Sequence, residues 1–143
     1  FLATGKTVVR KDLFDWSKEE DEQIRYYSGT AVYKATFRWK DKLKKGQPVY
    51  LNLGKVCNLA TVRVNGIDCG TVWTAPYRAD ITSALKKGTN ELEIEVTNTW
   101  ANALKGVDEG KAPYDGIWTN AKYRKQEDTL LPAGLLGILT IEN

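Results

Sequence analysis

An Asn-Gly pair set between two alternating runs, VRVNGIDCGTVW at residues 62–73, directs this chain toward antiparallel sheet. Asn and Gly tolerate the positive φ angles of a two-residue turn whose twist matches that of the flanking strands. Such a turn sets Val64 across from Ile67 and Val62 across from Cys69, so that all four share one face. Arg63 and Asp68 then oppose each other on the outer face as a favourable cross-strand pair.

The same period of two recurs along the chain. Residues 30–39, TAVYKATFRW, place Ala31, Tyr33, Ala35, Phe37 and Trp39 on one face. In PVYLNLG, residues 48–54, Val49, Leu51 and Leu53 share a side. NELEIEVTN is the clearest strand, with Leu92, Ile94 and Val96 inward and Glu91, Glu93 and Glu95 outward. Residues 80–90 read as a short helical turn capped by Asp80 and ended by Gly88. LPAGLLGILTIEN supplies a final strand. Between residues 101 and about 130 the pattern gives way to a long loop, a length that in a compact domain is often functional. Short strands separated by turn signals predict an all-β, antiparallel sandwich or barrel.

The 143 residues suit one domain, 1–143, able to bury roughly two-thirds of its unfolded surface. No apolar run approaches the ~18 residues of a membrane helix, so no membrane partner is expected. A net charge of +3, and a basic cluster (Lys40, Lys42, Lys44, Lys45) with no interleaved base-stacking rings, argue against nucleic acid. The chain starts at Phe1, holds no methionine and shows no signal peptide, which suggests a segment of a longer protein or a matured chain.

Chemistry is limited by what is missing. Without histidine, the commonest general base and zinc ligand are unavailable. Cys57 and Cys69 read as buried free thiols, able to bridge only if Cys57 comes from a separate strand. The acidic run at 17–23 reads as solvated surface. Asp108, Glu109, Asp115, Glu127 and Asp128 gather around the long loop, where they suit either catalytic acids or calcium ligands. They lack the spacing of a calcium loop, so no cofactor is expected and a structural calcium ion stays open.

Aromatic residues are the stronger signal. Trp73, Tyr77, Trp100, Tyr114, Trp118 and Tyr123 fall at strand ends or in the long loop, where an apolar ring can stack on the C–H face of a pyranose. Sandwich cores use the same residue types, and Tyr33 and Trp39 read as core. Trp118, between Gly116 and Asn120, is the best exposed candidate.

In order, the segments YYSGTAVYKATF, LNLGKVCNLATVRVNGIDCGTVWTAPYRADIT, LKKGTNELEIEVTNTW and LPAGLLGILTI resemble one family over nearly the whole chain. It is the sugar-binding-type, galactose-binding-like jelly-roll domain of family 2 glycoside hydrolases. The nearest form is the C-terminal β-sandwich of bacterial α-L-rhamnosidase-like (family 106) enzymes. The specific parts are Ser28-Gly29 with Tyr33, Val64-Asn65-Gly66 with Gly70, Pro76-Tyr77 through Asp80-Ile81-Thr82, and Gly88 with Asn90. Most of these are fold-making residues. GTVWTAPY stands where the commoner family 2 form often has a glycine-rich stretch, which favours the rhamnosidase-like branch.

The resemblance implies a non-catalytic domain of a secreted or periplasmic bacterial enzyme, with carbohydrate and the parent polypeptide's catalytic domain as partners. The catalytic carboxylates are expected in that absent domain. Two roles remain: carbohydrate binding, and a purely structural sandwich packed on the catalytic domain. For binding, Trp73, Tyr77, Trp100 and Trp118 would stack, and Asn65, Arg78, Asn102 and Asp115 would supply hydrogen bonds.

Overall fold

A computed structural model describes residues 1–40, 46–117 and 130–142. The strands are β1 (Thr30–Trp39), β2 (Tyr50–Gly54), β3 (Val56–Cys57), β4 (Leu59–Val64), β5 (Ile67–Val72), β6 (Tyr77–Asp80), β7 (Gly88–Thr97), β8 (Gly134–Leu135) and β9 (Thr140–Glu142). Two short helices, α1 (Glu22–Arg25) and α2 (Ala101–Asp108), and one 3₁₀ turn (Trp16–Lys18) complete the described elements. One layer is a four-stranded antiparallel sheet in the order β1-β7-β4-β5. The other is built from β6-β2-β9 and the small pair β3-β8. This is the expected all-β sandwich.

The core lies between the layers. Ala60, Val62, Val64, Leu92, Ile94 and Val96 from the large sheet meet Val49, Leu51, Leu53, Ala79 and Leu135 from the other side. Fully burying each large aliphatic side chain contributes roughly 1.5–3 kcal/mol. The alternation that puts these residues inside puts Glu91, Glu93 and Glu95 outside, as expected.

The hairpin forms with Asn65 at φ 52° and Gly66 at φ 77°, and with Val64 opposite Ile67 and Arg63 opposite Asp68. Two details differ from expectation. The register shifts between Thr61 and Arg63, where Gly70 takes φ 101°, so Val62 and Cys69 are not a regular pair. Arg63 does not bridge to Asp68. It reaches sideways to Glu95 (2.8 Å) and Glu93 (3.7 Å) on β7, while Asp68 accepts a hydrogen bond from the Gly70 N–H. The neighbouring strand offers two carboxylates where the hairpin partner offers one.

Cys57 does come from a separate strand, where it pairs with Gly134. Both cysteines are free thiols and half-buried rather than buried. Ala35, expected inward, is exposed, because β1 is an edge strand and is not covered along its whole length.

The acidic run at 17–23 is not only solvated surface. It lies between buried Trp16, in a single 3₁₀ turn, and buried Ile24, in α1. Trp16 is 1% exposed and packs edge-on against Phe1 and Tyr27. It also stacks over Tyr33, whose hydroxyl accepts a hydrogen bond from the Trp16 Nε1–H (2.7 Å). The expected loop from 101 onward begins instead with α2. Gly106 lets that helix approach closely, since a Cβ there would stand 3.0 Å from the Tyr26 side chain.

Candidate functional site

The strand register defines two ends of the sandwich. Ala60 on β4 pairs with both Val72 and Val96, and Leu59 pairs with Thr97. Trp73 directly follows Val72, and Trp100 follows Thr97 by three residues, so both tryptophans emerge at the same end of the large sheet. They are 69% and 57% exposed. Leu59 and Leu131 are exposed with them at this end. We refer to it as the loop end, since residues 98–133 depart from and return to it.

The rest of the expected site does not converge there. Asn65 sits at the opposite, turn end. Its Nδ2 donates to the Ala84 carbonyl (2.8 Å) and to Asn90 Oδ1 (2.9 Å), and its Oδ1 accepts from the Glu91 N–H (2.9 Å). The Asn65 amide is thus engaged in holding the turn to its neighbours, at the end away from Trp73 and Trp100. Asn102 is buried in α2, and its amide exchanges two hydrogen bonds with the Leu131 backbone, both 2.8 Å. It is a clamp rather than a surface donor. Tyr77 packs, half-buried, against the core. Arg78 is exposed on β6, its guanidinium carbon 4.5 Å from the centre of the Tyr50 ring. Asp115 is exposed in the turn after α2. Trp118, Asn120, Tyr123, Glu127, Asp128, Lys42, Lys44 and Lys45 lie outside the described residues.

The loop end is anchored from below. Asn98 Oδ1 accepts from the Gly29 N–H (2.9 Å) and its Nδ2 donates to the Tyr27 carbonyl (2.8 Å). The Tyr114 hydroxyl donates to the Ser28 carbonyl, so this ring is a strut and not a free stacking platform. Asn98 was missed in the sequence, since a single Asn at a strand end carries no periodic signal.

Titration shifts follow from structure rather than catalysis. Burial, and then the hydrogen bond to Glu109, hold the Tyr26 phenol above its ordinary value. Burial does the same for Tyr33 and for both thiols. The Thr82 hydroxyl and N–H hold the Asp80 carboxyl below the usual range. No group of three or more His, Cys, Asp or Glu side chains that could hold a metal ion occurs among the described residues. No described helix is long and apolar enough to cross a membrane.

Residues 3–129 match the family described as glycosyl hydrolase 2 galactose-binding domain-like. The chain belongs to that family. This galactose-binding-like domain is 38% identical to a protein of Formosa agariphila named "Putative beta-glucuronidase", across 98% of this chain and 14% of that protein. Among solved structures it resembles a rhamnosidase from Novosphingobium sp. PP1Y, with TM-score 0.76 and 42% identity over 88% of this chain and 12% of that one. An FMN-binding beta-glucuronidase from Facaelibacterium prausnitzii L2-6 matches at TM-score 0.53 and 30% identity, over 80% of this chain and 16% of that one. The galactose-binding-like domain thus spans only a small fraction of the length of each of these relatives.

Proposed function

We propose that this domain is a non-catalytic accessory module that meets carbohydrate at its loop end and leaves hydrolysis to the rest of the polypeptide. One observation carries the reading: Trp73 and Trp100 stand more than half exposed at one end of the sheet, whereas Trp16 and Tyr27 are buried. An exposed indole beside a rigid sheet end is a ready stacking surface for a pyranose. The test is calorimetric titration of the domain with plant and bacterial polysaccharides, rhamnose-containing ones included. Binding that weakens about tenfold or more in both Trp73→Ala and Trp100→Ala supports the proposal. Binding unaffected by both changes, or none to any glycan, overturns it.

A second reading, a purely structural sandwich packed against the catalytic domain, has its own support. Leu59 and Leu131 give the loop end apolar company rather than hydrogen-bonding partners, and exposed apolar patches commonly mark contact surfaces. On this reading the isolated domain binds no sugar, and the two tryptophans become protected from solvent when the full-length enzyme is compared with the domain alone. Under either reading the parent enzyme works outside the cytoplasm, where polysaccharide is found.

A further inference from the structure

We infer that the outer face of the three-stranded sheet carries a separate subsite for an anionic sugar, a pyranose bearing a carboxylate or a sulfate ester, with Arg78 as its anion donor. The face is set by register: Asn52 on β2 lies between Arg78 on β6 and Thr140 on β9, and Tyr50 lies between Asp80 and Glu142. Leu51 and Ala79 point to the core, so their neighbours along each strand point out. Tyr50, Arg78 and Glu142, with Gly46, Gln47 and Pro48, line an open groove on this side.

The groove is lined by one guanidinium, Arg78, and one carboxylate, Glu142, and how each is partnered favours an anion. Arg10, Arg25 and Arg63 each hold a carboxylate. Arg78, like Arg38, has no ion pair among the described residues, and Arg78 alone of these two lies over a ring, that of Tyr50. The two nearest carboxylates are occupied by neutral donors. Glu142 accepts from Asn52 Nδ2 (3.0 Å) and from the Thr140 hydroxyl (3.5 Å), and Asp80 accepts from the Thr82 N–H (2.9 Å) and hydroxyl. A guanidinium held over a ring has lost some of its rotamer freedom already, and its planar fork fits the paired oxygens of a carboxylate or sulfate. Beside it, the Glu142 carboxylate and the Gln47 amide supply acceptors for sugar hydroxyls, which a bare anion would not use. The site is therefore complementary to an oxyanion attached to a polyol.

Neither Trp73 nor Trp100 lines the groove, so the two proposals fail separately. The test is an amide-resolved NMR titration of the domain with an aldouronic acid (glucuronate on a xylo-oligosaccharide), galactose 6-sulfate, neutral xylotriose and sodium sulfate. Saturating shifts at residues 50, 52 and 78 with either acidic sugar, and none with xylotriose, are expected; which acidic sugar binds tells carboxylate from sulfate. Arg78→Ala should weaken binding by about tenfold or more, as expected when a charge-assisted hydrogen bond is lost. Arg78→Lys should weaken it less, Tyr50→Phe should keep it, and Trp73→Ala should leave it unchanged. Equal response to xylotriose, equal response to sodium sulfate, or full binding by a folded Arg78→Ala variant each overturns the inference.

Discussion

At the turn end of the sandwich, Asn90 is fully buried and uses its whole amide. Its Oδ1 accepts from Asn65 and from the Lys86 N–H, and its Nδ2 donates to the carbonyls of Lys86 and Gly88. Trp39, at that same end, is turned in, with its Nε1 shut off from solvent. At the loop end Asn98 and Asn102 also act as clamps, yet Trp73 and Trp100 are turned out. Both ends are therefore fastened by amides, and among the described residues the exposed tryptophans stand at one of them. Asn65, Gly66, Gly88 and Asn90, which carry part of the family resemblance, lie at the turn end and make the fold. The exposed tryptophans lie at the loop end.

The largest expected effect strikes the turn end. Asn90→Ala removes four part-buried hydrogen bonds made by a fully buried side chain and should cost about 3 kcal/mol by urea denaturation; a loss below about 1 kcal/mol would show that backbone bonds alone hold this end. Asn102→Ala should cost about 1–2 kcal/mol and speed hydrogen exchange at the Leu131 amide, since that N–H loses its acceptor. A smaller effect follows from acid. Asp80 has a depressed pKa in the fold, so its contribution is present above the usual carboxylate range and lost as pH falls through the folded value. Being exposed, it should account for less than about 1 kcal/mol. The difference in stability between wild type and Asp80→Ala should accordingly shrink on acidification, and a constant difference would assign the effect to packing. Smallest of all, Trp73→Ala and Trp100→Ala should shift stability by no more than about 0.5 kcal/mol, as is usual for exposed positions. A larger loss would mean these rings support the fold and would blur the contrast between the ends.

Much of the sheet is legible because β2, β4 and β7 each obey a period of two that matches one buried face. The Asn65-Gly66 turn was legible from its chemistry alone. Strand order was not: Arg63 bonds to Glu95 because β7 lies beside β4, and nothing local to the hairpin reports that neighbour. Helix α2 escaped notice because its buried positions are Asn102, Ala103, Lys105 and Gly106, which carry no large apolar stripe. Trp16 was passed over beside an acidic run, although it anchors an aromatic cluster. The candidate site was read less well than the fold. Exposed tryptophans were expected from strand ends, but Asn65 and Asn102 were taken for surface donors when both amides had work inside. A polar side chain near a turn does not disclose in sequence whether it faces water or a backbone carbonyl.

The pairing of β1 with β7 also bears on how the chain is made. β1 ends at Trp39, and its described sheet partner begins at Gly88. At ribosomal rates of about 5–20 residues per second, the interval between the two strands is on the order of several seconds. During that time the β4–β5 hairpin, a local structure, can already have closed, while β1 waits with its backbone groups unmatched. Lys34 and Arg38 project from this waiting strand, and such charges discourage pairing with other nascent chains. These two basic side chains thus act before the native sheet exists, as guards of a strand whose partner has yet to be synthesised.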